Sequence, residues 1–174
     1  MAFRECCNLK TLQLNDGIKE LGWFCLWRTG ITDLSLPPHI KMTREQLGLD
    51  QEDQKILRLP HGLEVVGNKW FSLATIEKLI VPSCVKVLGE SAFIMCERLS
   101  EVIFEPNSRL ERIEACCFDR CNLTKIVLPE SVQYIGEFCF SDSLSLREVV
   151  IPKSVRKIDG FAFSRCRNLS SLVF

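Results

Sequence analysis

The chain has 174 residues, the size of one ordinary domain or slightly more, with 22 Lys plus Arg against 22 Asp plus Glu. A formal net charge of zero argues against a general binder of nucleic acid or of anionic membranes, either of which needs a basic excess. Apolar residues make up 47%, enough for a packed core and too many for a disordered chain, and no apolar run approaches the roughly 18 residues of a membrane-spanning helix.

Residues 1–10 carry Arg4, Glu5 and Lys10 and no apolar stretch, so no secretory signal is expected there. Beyond them a repeat governs the whole chain. Two apolar residues flank a third in eight triplets: Leu12-Gln13-Leu14, Leu34-Ser35-Leu36, Leu57-Arg58-Leu59, Leu79-Ile80-Val81, Val102-Ile103-Phe104, Ile126-Val127-Leu128, Val149-Val150-Ile151 and Leu172-Val173-Phe174. The steps between them are 22, 23, 22, 23, 24, 23 and 23 residues. Other columns keep the same phase. Three residues before most triplets stands Leu or Ile, and Pro37, Pro60, Pro82, Pro129 and Pro152 directly follow theirs. Apolar pairs come next, such as Leu63/Val66, Val85/Leu88, Leu110/Ile113 and Val132/Ile135, with Gly22, Gly67, Gly89 and Gly136 after four of them. Each unit then reaches a large apolar residue: Phe3, Leu26, Phe71, Phe93, Phe118, Phe140 and Phe163.

One such unit cannot bury its apolar row alone, but stacked units turn every column into a continuous buried ladder. The expected architecture is therefore a single α/β solenoid domain over residues 1–174, with about eight coils of 22–24 residues. Each triplet forms a short strand, with its first and third residues inward and its middle residue outward. The copies form a parallel sheet with strands about 4.8 Å apart, a proline ends each strand, and the Phe segment is expected to make a short helical turn on the opposite side. Residues 38–55 keep the period but are polar, a degenerate unit in which Thr43 and Gln46 suit a helix-capping box.

The run Leu-x-x-Ile-x-Leu-Pro-x-Ser-Val-x-x-Ile-Gly-x-x-x-Phe, best seen from Leu123 to Phe140, resembles the BspA-like (Treponema-type) leucine-rich repeat. Phe104 to Phe118 resembles a variant unit of that family found in protist surface proteins. The resemblance covers nearly all of the chain. It implies a right-handed repeat superhelix that binds other macromolecules, often in adhesion at a cell surface, and no catalytic activity.

Seven of the ten cysteines fall in two columns of the repeat. Cys25, Cys117 and Cys139 directly precede the large apolar residue, and Cys6, Cys96, Cys121 and Cys166 follow it by three. The columns suggest buried small hydrophobes; a disulfide between Cys117 and Cys139 on adjacent coils stays open as an alternative. Cys116, Cys117 and Cys121 lack a Cys-x-x-Cys knuckle and a nearby His, so no metal is expected. Gly-rich phosphate loops and a nucleophile elbow are absent from the sequence, so neither enzyme nor cofactor is expected. His39 and His61 fall on turns, and Trp23, Trp27 and Trp70 are assigned to packing. Asn122 and Asn168 head glycosylation sequons whose asparagines also suit a hydrogen bond to a neighbouring turn.

The middle positions of the triplets change from polar to apolar along the chain. Gln13, Ser35 and Arg58 give way to Ile80, Ile103, Val127, Val150 and Val173. Stacked in register these five span about 19 Å of sheet face, a candidate surface for another protein or an extracellular macromolecule. The preceding column reads Lys78, Glu101, Lys125 and Glu148, alternating in sign, and Arg147 lies beside it. The alternative reading is an intracellular interaction scaffold. The chain starts inside a unit and stops on a strand, from which end-to-end self-association is a further expectation; neither nucleic acid nor membrane insertion is expected.

Overall fold

The computed structural model describes residues 3, 6–15, 33–35 and 55–174, residues 33–35 as backbone only. The columns at residues 16–32, with Gly22, Trp23, Cys25, Leu26 and Trp27, and the polar unit up to residue 54, with His39, lie outside the described residues.

Thirteen short strands follow in chain order: β1 Thr11–Gln13, β2 Asp33–Ser35, β3 Ile56–Arg58, β4 Val65–Val66, β5 Lys78–Val81, β6 Val87–Leu88, β7 Glu101–Phe104, β8 Arg112–Ile113, β9 Lys125–Val127, β10 Tyr134–Ile135, β11 Glu148–Val150, β12 Lys157–Ile158 and β13 Ser171–Val173. Every one of the eight triplets overlaps a strand. Pairing is parallel and in the repeat register throughout, with Leu57 beside Leu79, Leu79 beside Val102, and Ile126 beside Val149. The chain folds as a solenoid in which equivalent residues of successive coils lie over one another.

The columns fill its interior. Leu79, Ile126 and Val149 form one buried row, Val66, Leu88, Ile113 and Ile135 a second, and Leu99, Leu123 and Leu146 a third. Phe71, Phe93, Phe118, Phe140 and Phe163 stack ring on ring at 5.2–5.5 Å, within 11° of parallel. Two glycines allow the coils to approach. A Cβ on Gly89 would lie 2.6 Å from the Val66 carbonyl oxygen, and one on Gly136 would lie 2.5 Å from the Ala115 nitrogen.

A second parallel sheet, ordered β12-β10-β8-β6-β4, runs along another side of the coils. It arises from the apolar pairs, whose second members are Val66, Leu88, Ile113, Ile135 and Ile158. The first-row strands form separate sheets, β3-β5-β7, β9-β11-β13 and β1-β2.

The Phe segment departs from the expected helical turn: no helix occurs among the described residues. The Trp70 N–H donates to Gly67 O and the Ala74 N–H to Phe71 O, closing two β-turns. Their third residues, Lys69 and Leu73, have φ of 59° and 62°, which is type II geometry. Ser91 and Met95, Cys116 and Arg120, Phe138 and Asp142, and Phe161 and Arg165 repeat the pattern. A residue in the left-handed region at every fourth position rules out an α-helix. It also turns alternate amides outward, so Lys69, Phe71 and Leu73 donate to the carbonyls of Glu90, Ala92 and Ile94 on the next coil at 2.8–2.9 Å. The backbone bonds that a helix would close within one coil instead tie successive coils together.

Candidate functional site

The face carrying the candidate residues is built from the first-row strands. Strand alternation sends Leu79 and Val81, or Ile126 and Leu128, into the core and leaves the residue between them outside. Lys78 pairs with Glu101 at 2.9 Å and Lys125 with Glu148 at 2.8 Å, across β5–β7 and β9–β11 respectively. Both pairs are exposed, so each adds at most a few tenths of a kcal/mol and serves mainly to favour this register. The Arg147 backbone bridges coils, accepting from Ser170 and Ser171 and donating to Thr124, while its side chain stays exposed.

The expected row of five apolar residues is not continuous. Ile80 and Ile103 are neighbours in one sheet, and Val127, Val150 and Val173 in the other. Ile103, Val127 and Val173 are 37%, 51% and 46% exposed, Val150 is half-buried and Ile80 only 8% exposed. Position in the sheet accounts for the difference. Ile80 and Val150 have a paired strand on each side, whereas Ile103, Val127 and Val173 have one on a single side. Ile80 therefore offers almost no contact area, a departure from the outward surface the alternation implied.

The interruption follows the one 24-residue step. After Phe104 the chain continues along the preceding coil: the Glu105 N–H donates to Val81 O and the Arg109 N–H to Ser83 O. The Glu105 carboxylate also accepts from the Ser83 N–H at 3.2 Å and lies 3.4 Å from His61 Nε2. The extra residue is taken up at Asn107, with φ 58°. No ladder joins β7 to β9, while the second sheet passes the same coils unbroken from β6 to β10. A cleft of about 560 Å³ opens at the break, lined by Ile103, Phe104, Pro106, Val127, Leu128 and Pro129 with Glu105 and Glu130.

The cysteine columns have a polar function that the sequence reading did not identify. The thiols of Cys96, Cys121 and Cys166 donate to the carbonyls of Phe71, Phe93 and Phe140 on the preceding coil at 3.0–3.2 Å. Ser143 occupies the same column and donates to Phe118 O at 3.3 Å. The presence of serine in this column was the sequence signal for a shared donor. The nine described cysteines are all free thiols, and burial raises the pKa of Cys117, Cys121 and Cys139 far above the ordinary thiol range. Among the described residues no cluster of side chains suits a metal ion. No described helix is long and apolar enough to cross a membrane.

On the second sheet Tyr134 lies between two cations. The Arg112 guanidinium is 4.0 Å and Lys157 Nζ 5.5 Å from its ring centre, and its hydroxyl donates to Asp159 at 2.6 Å. That hydrogen bond holds the phenol neutral, pushing its pKa up to about 12. Asn168 Nδ2 donates to Leu144 O at 2.7 Å, the turn contact expected of its column.

The comparisons agree with this geometry. The model of the BspA type leucine-rich repeat region, in six copies, matches residues 1–100 and 88–174. The crystal structure of the T. pallidum leucine-rich repeat protein TpLRR is similar, with 32% identity and a TM-score of 0.65 over 68% of this chain and 58% of that one. A leucine-rich cell surface protein from Faecalibacterium prausnitzii A2-165 shares the fold at 19% identity and a TM-score of 0.66, over 99% of this chain and 61% of that one. A leucine-rich repeat protein from Bacteroides ovatus does so at 19% identity and a TM-score of 0.59, over 98% of this chain and 50% of that one. The chain thus spans about three-fifths of the length of the first two. No curated protein matches it. Matched from end to end by the repeat model, and folded with its columns stacked as that repeat requires, the chain belongs to the BspA-type leucine-rich-repeat family.

Proposed function

We propose that residues 1–174 act as one non-catalytic protein-binding domain, used in adhesion or ligand capture at a cell surface through the first-row sheet face. The observation carrying this is the exposure of Ile103, Val127 and Val173 on a rigid sheet flanked by the Lys78–Glu101 and Lys125–Glu148 pairs. Apolar groups with a charged rim are the composition of a protein-binding patch. Surface display is supported by the description of the Faecalibacterium neighbour as a cell surface protein.

The test compares the full chain with Ile103→Lys/Val127→Lys and with a control on the turn side, Leu73→Lys, in affinity capture from cell-surface extracts. Leu73 is 67% exposed. A protein retained by wild type and by the control but lost by the double variant supports the reading; retention by all three overturns it. The free thiols favour a second reading, an intracellular scaffold. Glycans on the exposed Asn122 and Asn168 in the native source exclude the scaffold.

A further inference from the structure

The break between β7 and β9 is more than a gap in the face. Bond parity follows from two contacts: the Glu105 N–H donates to Val81 O, and the Leu128 N–H to Val150 O. Odd-numbered residues of β7 therefore face β5, and even-numbered residues around β9 face β11. The main-chain groups that would form the missing rungs belong to Val102 and Phe104 on one lip and to Lys125 and Val127 on the other. Between the lips lies the cleft of about 560 Å³, within the range that holds a few residues of a bound peptide. Its lining is largely apolar, and the charged residues in it are two carboxylates, Glu105 and Glu130. Glu130 is exposed and has no ion-pair partner among the described residues.

We propose that this slot binds an extended peptide segment alternating apolar and basic residues, whose main chain uses the unfilled rungs of β7 and β9 while an apolar side chain seats over Ile103, Phe104, Val127 and Leu128 and a Lys or Arg meets Glu130. The proposal deepens the reading of the sheet face as a protein-binding surface and rests on it. Each element of the occupant answers a feature of the slot. Open strand edges recognise an extended backbone. The apolar walls recognise a hydrophobic side chain, and a lining that carries negative charge without a cation selects a positive neighbour. The extra residue after Phe104 holds the slot open, because it draws residues 105–109 onto the preceding coil.

The probes are short fluorescein-labelled peptides alternating Leu with Lys, Leu with Glu, or Thr with Lys, titrated against the full chain by fluorescence anisotropy. The Leu/Lys peptide is expected to bind at least about tenfold more tightly than the other two, a difference of about 1.4 kcal/mol. Val127→Lys should weaken it by about tenfold or more and Glu130→Gln by about threefold. Val150→Lys, on the same face but outside the slot, should change it by less than about twofold. Amide exchange on the unaltered chain gives a readout independent of variants: the amides of Val102, Phe104, Lys125 and Val127 should gain protection when the Leu/Lys peptide is added. Equal binding of all three peptides, binding unchanged in Val127→Lys, or no protection at those amides overturns the slot. If the slot fails while the double variant above still loses its captured protein, the face reading stands and only the peptide mode is lost.

Discussion

Replacing Phe118 with alanine tests the stacked rings that run through the solenoid. The side chain is fully buried, with Phe93 at 5.4 Å on one side and Phe140 at 5.5 Å on the other. Truncating a buried Phe to Ala costs about 3–5 kcal/mol through lost transfer and the cavity left behind. Each lost ring pair adds about 0.5–1.5 kcal/mol where the surroundings do not relax. A total of about 4–6 kcal/mol is a large part of the stability of a domain this size. Phe163 is only partly buried and stacks on Phe140 at 5.3 Å, with no second ring beyond it. The same truncation there should cost about half as much. Because each coil contacts mainly its neighbours, the central lesion should also uncouple the two halves. Denaturant unfolding followed by circular dichroism should give one transition for wild type and a broadened or two-step transition for Phe118→Ala. A loss below about 1 kcal/mol, or equal losses at Phe118 and Phe163, would refute the claim that the ladder carries coupling between coils.

Two further outcomes follow. Tyr134 is the sole tyrosine, so its titration can be read directly by absorbance. Its hydrogen bond to Asp159 raises the folded pKa to about 12; the stability it contributes is therefore present below the ordinary tyrosine value and lost as pH rises from about 10 through 12. The difference in unfolding midpoint between wild type and Tyr134→Phe should be constant at neutral pH and shrink over that interval; a constant difference would show that the bond is not formed. Thiol labelling followed by mass spectrometry should modify the exposed Cys6 and Cys7 first and leave Cys96, Cys117, Cys121 and Cys139 unmodified until the chain unfolds. Early labelling of Cys117 or Cys139 would contradict their burial.

Much of the architecture was legible because a buried column must repeat in phase with its coil. Leu79, Ile126 and Val149 lie in the shared ladder that their spacing implied. The Lys78–Glu101 and Lys125–Glu148 pairs form as their register required. The turns were misread because apolar spacing around Phe93 or Phe140 is compatible with a helix, and nothing about Ser91 or Phe138 advertises a positive φ. Strands of two residues, such as Val87–Leu88, are too short for alternation to reveal, so the second sheet was missed. The break in the face left a trace in the sequence, the 24-residue step at Glu105-Pro106-Asn107, but the step does not say whether an extra residue bulges outward or parts two strands. Burial of Ile80 was unreadable for the same reason, since it depends on which neighbouring strands stay paired.

The reciprocal hydrogen bonding of the coils limits how such a protein can change length. Each internal unit donates at its turns to the coil ahead and at its strands to the coil behind, as Lys69 does to Glu90 and Lys86 to Glu64. Excising or duplicating one whole unit therefore leaves the two new cut surfaces complementary, with every donor meeting an acceptor. A single inserted residue has no such closure. As the turn at Asn107 illustrates, it is accommodated only by parting two strands on one flank, so growth by whole units preserves the wall, and growth by single residues makes openings in it.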